Sequence, residues 1–159
     1  VNAISAAKSQ AELRTVIGKY SSYPQVNSAR IQLASILISE KKYEDAIKIY
    51  KDIVASNAPE ILRWRAQADI GYLFEDLGKY DTAIETFETL AKNAFLPEIM
   101  KAEAGIAAGR LYLKMGNNGK ARAQLEDVKK MRVPVWSAQA DYLLDKVPAP
   151  AQQKPEPKK

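Results

Sequence analysis

The feature that most limits what this chain can fold into is a repeat of 37–38 residues, since the same apolar pattern is written three times. Ala34, Gly71 and Gly109 stand 37 and 38 residues apart, and so do Ala46, Ala83 and Ala121. Lys42-Tyr43-Glu44-Asp45-Ala46-Ile47 returns as Lys79-Tyr80-Asp81-Thr82-Ala83-Ile84, and Pro59-Glu60-Ile61 as Pro97-Glu98-Ile99. The middle copy shows what fills each period. Trp64, Ala68, Ile70, Gly71, Phe74 and Leu77 recur at helical spacing, and Gly78 offers a left-handed helix end. Tyr80 then opens a second helix carrying Ala83, Ile84, Phe87, Leu90 and Ala91 on one side. The small residues Gly71 and Ala83 fall mid-helix, where two antiparallel backbones could cross closely. A fixed period of this length filled by a helix pair predicts an all-α fold, a right-handed α-solenoid of antiparallel hairpins with about eight helices.

The prolines sharpen the boundaries. Pro24, Pro59, Pro97 and Pro134, spaced by 35, 38 and 37 residues, predict the first turns of the odd helices. The expected helices run over 25–40, 43–56, 59–77, 80–93, 97–115, 118–131 and 134–147. They follow an opening helix that either extends through the small residues Asn2 to Ala7 or begins afresh at the capping-box pattern Ser9-Gln10-Ala11-Glu12. In that opening helix Leu13, Val16 and Ile17 lie 37 residues before Tyr50, Ile53 and Val54, the register of the second half of a pair. The expected organisation is one helical domain over 1–147. It comprises a half-repeat 1–23, repeats 24–58, 59–96 and 97–133, and a capping helix 134–147. In that last helix Trp136, Ala140, Leu143, Leu144 and Val147 face inward. The remainder, 148–159, is rich in proline, glutamine and lysine, a composition expected to stay disordered.

Composition narrows the chemistry. Cysteine and histidine are both absent, which removes thiolate nucleophiles, imidazole bases and nearly every zinc site. The carboxylate pairs Glu75–Asp76 and Asp141–Asp145 have no such companion, so the expectation is no enzyme, no metal and no cofactor. The net charge of +5 falls short of a nucleic-acid footprint. The basic run Lys120, Arg122, Lys129, Lys130 and Arg132 reads as helix C-terminal cations, with an anionic surface as the alternative. Trp64 and Trp136 read as packing residues between repeats.

With Gly71, Gly78, Tyr80, Ala83 and Phe87 in place, the chain resembles tetratricopeptide repeats, over Asn27 to Val133 as three repeats with half-repeats on each side. The third has Asn118 where the others have Tyr43 and Tyr80, and the first has Lys41 where the others have Gly78 and Gly116. Among such proteins it looks like the small bacterial membrane-anchored periplasmic members, such as the ancillary subunit of the Sec translocon and, more distantly, the Tol–Pal-associated cell-division coordinator. That resemblance implies a periplasmic location with an inner-membrane tether upstream of Val1. It also implies a protein partner in the concave groove, drawn from envelope or translocon components.

In such solenoids the odd helices line the concave face. Carried over, this marks Arg65, Asp69, Tyr72 and Asp76 on the middle odd helix as partner-binding. The counterparts are Ser28, Gln32, Ser35 and Ser39 on the helix before, and Glu103, Ala107, Arg110 and Lys114 on the helix after. Tyr72 is the expected anchor, as an exposed aromatic. The carboxylate clamp of chaperone-binding members would need cations and amides where this chain has Ile31, Ser35, Asp69, Glu103 and Ala107, so that ligand class is not expected. The implied function is a non-catalytic protein–protein interaction adaptor. The alternative is a structural scaffold, a homo-oligomer joined through open solenoid ends.

Overall fold

The structure, a computed structural model, describes residues 9–148, and the expectation of a disordered tail therefore lies outside the described residues from 149 on. Among them are eight α-helices and no strand. They are α1 (Gln10–Lys19), α2 (Val26–Ser39), α3 (Tyr43–Val54), α4 (Glu60–Asp76), α5 (Tyr80–Ala91), α6 (Glu98–Lys114), α7 (Asn118–Lys130) and α8 (Pro134–Leu144). Each matches an expected helix, with ends trimmed by up to three residues; the odd helices of the sequence pattern are α2, α4, α6 and α8, and the even ones α3, α5 and α7.

The starts are built as the residues dictate, with one correction. Ser9 closes a full capping box: its hydroxyl accepts from the Glu12 amide at 3.2 Å, and the Glu12 carboxylate accepts from the Ser9 amide at 3.1 Å. Of the four prolines, only Pro134 sits in a first turn. Pro59 and Pro97 stand one residue earlier, as extended N-caps with ψ of 142°. Their carbonyls accept the first helical amides instead. Pro24 lies outside α2 altogether, and its carbonyl accepts both the backbone and side-chain amides of Asn27.

The ends of α2, α4 and α6 share one device. After each helix a residue with positive φ reverses the chain, at Lys41 (φ 60°), Gly78 (φ 70°) and Gly116 (φ 73°). The next amide then reaches back to the carbonyl five residues earlier, Lys42 to Leu37, Lys79 to Phe74 and Asn117 to Tyr112, each at 2.8 Å. The positive-φ residues donate to Ile38, Glu75 and Leu113. These are Schellman closures, which satisfy helix carbonyls that would otherwise end unpaired. The geometry is the same at all three, although Lys41 must hold a conformation that costs a residue with a Cβ. The repeat imposes the turn, and the residue follows.

By its internal contacts the chain divides into two compact units at Leu90/Ala91. In the first, α1 packs on α2, α2 on α3 and α3 on α4. Leu13, Leu33, Leu37, Ala34, Ala46 and Ile53 form its centre, all essentially inaccessible. The pair α4–α5 closes over Gly71, where a Cβ would meet Cε1 and Cζ of Phe87 at 2.8 Å, and the Phe87 ring is fully buried. In the second unit α6 packs on α7, and α8 packs on both. Gly109 repeats the role of Gly71, since a Cβ there would lie 2.7 Å from Leu125 Cδ2. Gly105 does the same one turn earlier, 2.5 Å from Val128 Cγ2. Ala83 and Ala121, the small residues on the facing helices, are 0% exposed. Ala140, Leu143 and Val147 bury the inner side of α8 and its exit, while Val135 and Tyr142 point out.

Two stability changes of opposite sign are expected. Gly71→Ala forces the Phe87 ring out of a packed position and should lower unfolding stability by about 1–3 kcal/mol in urea melts, despite the better helix propensity of alanine. Lys41→Gly relieves the left-handed turn at the cost of some chain entropy and should raise stability by about 0.5–1 kcal/mol.

Candidate functional site

The face at issue on α4 is set by the helix period. Arg65, Asp69, Tyr72 and Asp76 fall at i, i+4, i+7 and i+11, one stripe along a seventeen-residue helix. Ala66, Ala68, Ile70, Gly71 and Leu73 are spent on the core. Within the stripe Arg65 and Asp76 are exposed, while Asp69 and Tyr72 are half-buried.

The half-buried pair is held by the fold. Asp69 accepts a hydrogen bond from the hydroxyl of Tyr50, which α3 carries across from the preceding hairpin. Burial of Tyr50 and, secondarily, the negative charge of Asp69 push the phenol up to about 12. Tyr72 is half-buried where the sequence suggested an exposed anchor. Its ring lies 4.9 Å from that of Phe87, tilted at 59°. Phe87 is thus boxed by the Gly71 backbone and the neighbouring Tyr72 ring. The middle of the α4 stripe is therefore stiff, and its two ends carry opposite charge on side chains that reach solvent.

The other marked residues sit on corresponding faces of their own helices. On α2, Ser28, Gln32, Ser35 and Ser39 are all exposed. On α6, Lys114 is exposed, Glu103 and Arg110 are half-buried, and Ala107, the counterpart of Asp69, is 3% exposed and belongs to the core. Arg65, Asp69, Tyr72, Glu103, Arg110 and Lys114 all make further interactions, so none is a loose charge or ring. Ile31, a position where the carboxylate clamp needs a cation, is an exposed apolar residue, 38% accessible.

The basic run on α7 is largely consumed at short range. Lys129 pairs with Asp141 of α8 at 2.7 Å and Lys130 with Asp127 at 2.7 Å, which raises both ammonium pKa values, chiefly through those hydrogen bonds. Arg122 donates to the Val147 carbonyl at 3.3 Å, and the Lys120 ammonium stands 5.4 Å from the Tyr112 ring centre. Lys129 and Arg122 thus fasten the last helix and its exit, and Lys129 and Lys130 also suit the negative end of α7. Trp64 and Trp136 are half-buried.

Two features lay outside the repeat reading. An open apolar furrow of about 420 Å³ runs on the even-helix side of the first unit, between Val54 of α3, Ile70 and Phe74 of α4, and Thr82 and Thr86 of α5. A smaller polar cavity lies where the α1–α2 connection meets the end of α3, beside Arg30. The periodic pattern records Ile70 and Phe74 as core positions, and only packing reveals that space remains between them. No helix of the described residues is long and apolar enough to cross a membrane, and none of their acidic residues cluster in a group that could hold a metal.

The Tyr50–Asp69 bond gives a pH signature. A phenol with its folded pKa raised from 10 to about 12 adds stability that is complete below pH 10 and fades as pH rises towards 12. Tyr50→Phe should remove this group's share of the decline in alkaline melts. It should also cost about 1–2 kcal/mol at neutral pH by leaving Asp69 without its donor.

A tetratricopeptide repeat family model matches residues 32–95, from the second turn of α2 to the connection after α5. That is less than half of the chain, and it covers both Gly71 and the α4 stripe. No curated protein matches the sequence.

Proposed function

We propose that this protein is a non-catalytic adaptor that holds a partner polypeptide against the outward stripes of its odd helices. The α4 stripe is central on the first unit, and Glu103, Arg110 and Lys114 of α6 offer a counterpart on the second. The observation that carries the reading is the tetratricopeptide match over 32–95. Repeats of this kind generally mediate protein–protein interaction, and the match is centred on the helix whose stripe stays outside the core.

The chemistry of the stripe suits a polypeptide. Tyr72 and Asp69 are already positioned by Phe87 and Tyr50, so docking would cost little side-chain entropy there. Arg65 and Asp76, on successive turns beyond them, can pair with opposite charges at either end and set the direction of a bound segment. The cell compartment we propose is the bacterial envelope, with partners among its components. The support is a chain of 159 residues without cysteine and the resemblance to periplasmic repeat proteins.

A charge-reversal comparison tests the surface. Arg65→Glu/Asp76→Lys changes only exposed side chains, so circular dichroism should match the wild type and stability should fall by no more than about 1 kcal/mol. Crosslinked partner recovered from envelope extracts should fall at least fivefold. Thr82→Arg, which narrows the furrow on the other side, should leave recovery unchanged. Equal recovery from wild type and the double variant removes the α4 stripe from consideration. Loss with Thr82→Arg alone moves the partner to the even-helix side.

A further inference from the structure

The first unit contains a charge that its own residues do not neutralise. Arg30, on α2, is 7% exposed, and its neighbour Asn27 is 3% exposed. The guanidinium donates from Nη1 to the Asn27 side-chain carbonyl at 2.9 Å and from Nη2, more weakly, to the Ser21 carbonyl at 3.4 Å. Its buried Nε has no hydrogen-bond partner. Arg30 forms no ion pair with any described carboxylate, and its acceptors among the described residues, Asn27 and Ser21, are neutral. Arginine does not give up its proton in proteins, and an unpaired buried cation is among the more costly things a fold can contain.

Against this guanidinium lies a cavity of about 160 Å³. Its walls include Ser21, Ser22, Tyr23, Ser56 and Asn57, and no acidic residue. Ser56 is occupied locally, donating to the Ile53 carbonyl. Ser21, Ser22 and Asn57 make no side-chain hydrogen bond among the described residues, so hydroxyl and amide donors remain beside the cation. The start of α2 adds only its dipole, since the amides of Val26, Asn27 and Ser28 already donate to the carbonyls of Tyr23, Pro24 and Gln25.

The geometry points to a binding site for one small oxyanion, a phosphate or carboxylate group, seated on the Arg30 guanidinium in this cavity. A planar guanidinium flanked by hydroxyl and amide donors is the arrangement that holds such groups, through short charge-assisted hydrogen bonds. The volume accommodates such a group, as a free ion or as the oxyanion end of a longer molecule. The cavity involves none of the α4 stripe residues, and the inference stands whether or not that stripe holds a partner.

The test is a titration of the ¹⁵N-labelled protein with sodium phosphate, and separately with sodium acetate, against sodium chloride at equal ionic strength. The Arg30 Nε–H resonance reports directly on the site. Saturable movement at millimolar concentrations is expected, with a melting temperature raised by about 3–6 °C at tenfold excess over the dissociation constant. Response to phosphate alone assigns a phosphoryl group, and response to both assigns any single oxyanion. Asn57→Asp places a fixed carboxylate in the wall. It should raise the melting temperature in chloride and abolish the response to either anion. Arg30→Gln should likewise be silent, and if it fails to fold, Asn57→Asp still decides. A wild-type resonance unmoved by both anions, or an undiminished response in Asn57→Asp, overturns the assignment and leaves Arg30 as a strut between α2 and the Ser21 turn.

Discussion

The contact on which the rest depends is the seating of a bulky even-helix side chain against a bare odd-helix backbone. Phe87 lies on Gly71 and Leu125 on Gly109, each closer than a Cβ would permit. Close approach lets the flanking residues interdigitate at the density of a protein interior, and dispersion contacts grow steeply as such gaps close. Glycine in mid-helix is a poor helix former. Its use at equivalent places in two repeats shows packing prevailing over propensity. The Schellman closures serve the same contact by fixing where each odd helix stops and how the chain turns into its partner.

That packing also decides which surface is left over. An odd helix such as α6 meets both α7 and α8 and buries ten of its seventeen residues, so little of its circumference remains outside. What remains is a narrow stripe, and on α4 the stripe is not simply solvated. Its middle is tied down by Tyr50 and Phe87 and its ends are charged. A surface of this kind is prepared by the core beneath it. Substitutions at its centre would report on folding as well as on binding, and the exposed ends are where the two can be separated.

Much of this was legible in the residues. The period, the helix count, the capping box at Ser9, the turns at Gly78 and Gly116, and the small residues at the crossings all follow from local stereochemistry. So does the inward side of the last helix. The positions that escaped such reading share one property, that their meaning depends on a residue distant in the chain. Nothing local marks Tyr50 as the donor to Asp69, nineteen residues on. A tyrosine in that register reads as an ordinary core aromatic, like Phe87. Tyr72 looked exposed by helical phase, yet the partner helix brings Phe87 over its flank. Arg30 carries no local mark of burial, because that burial arises where the Ser21 turn and the end of α3 close over α2.

Sequence alone determined the secondary structure, the repeat and the exclusion of cysteine and histidine chemistry, because each rests on residue type, on spacing within about two helical turns, or on recurrence of one pattern along the chain. Tertiary structure alone decided that Asp69 is bonded to Tyr50, that Tyr72 is half-buried against Phe87, and that one arginine lies desolvated beside an acid-free cavity. The physical reason is common to these. Burial and pairing energies depend on distances between elements, and those distances are set only when the glycine crossings have brought the helices together.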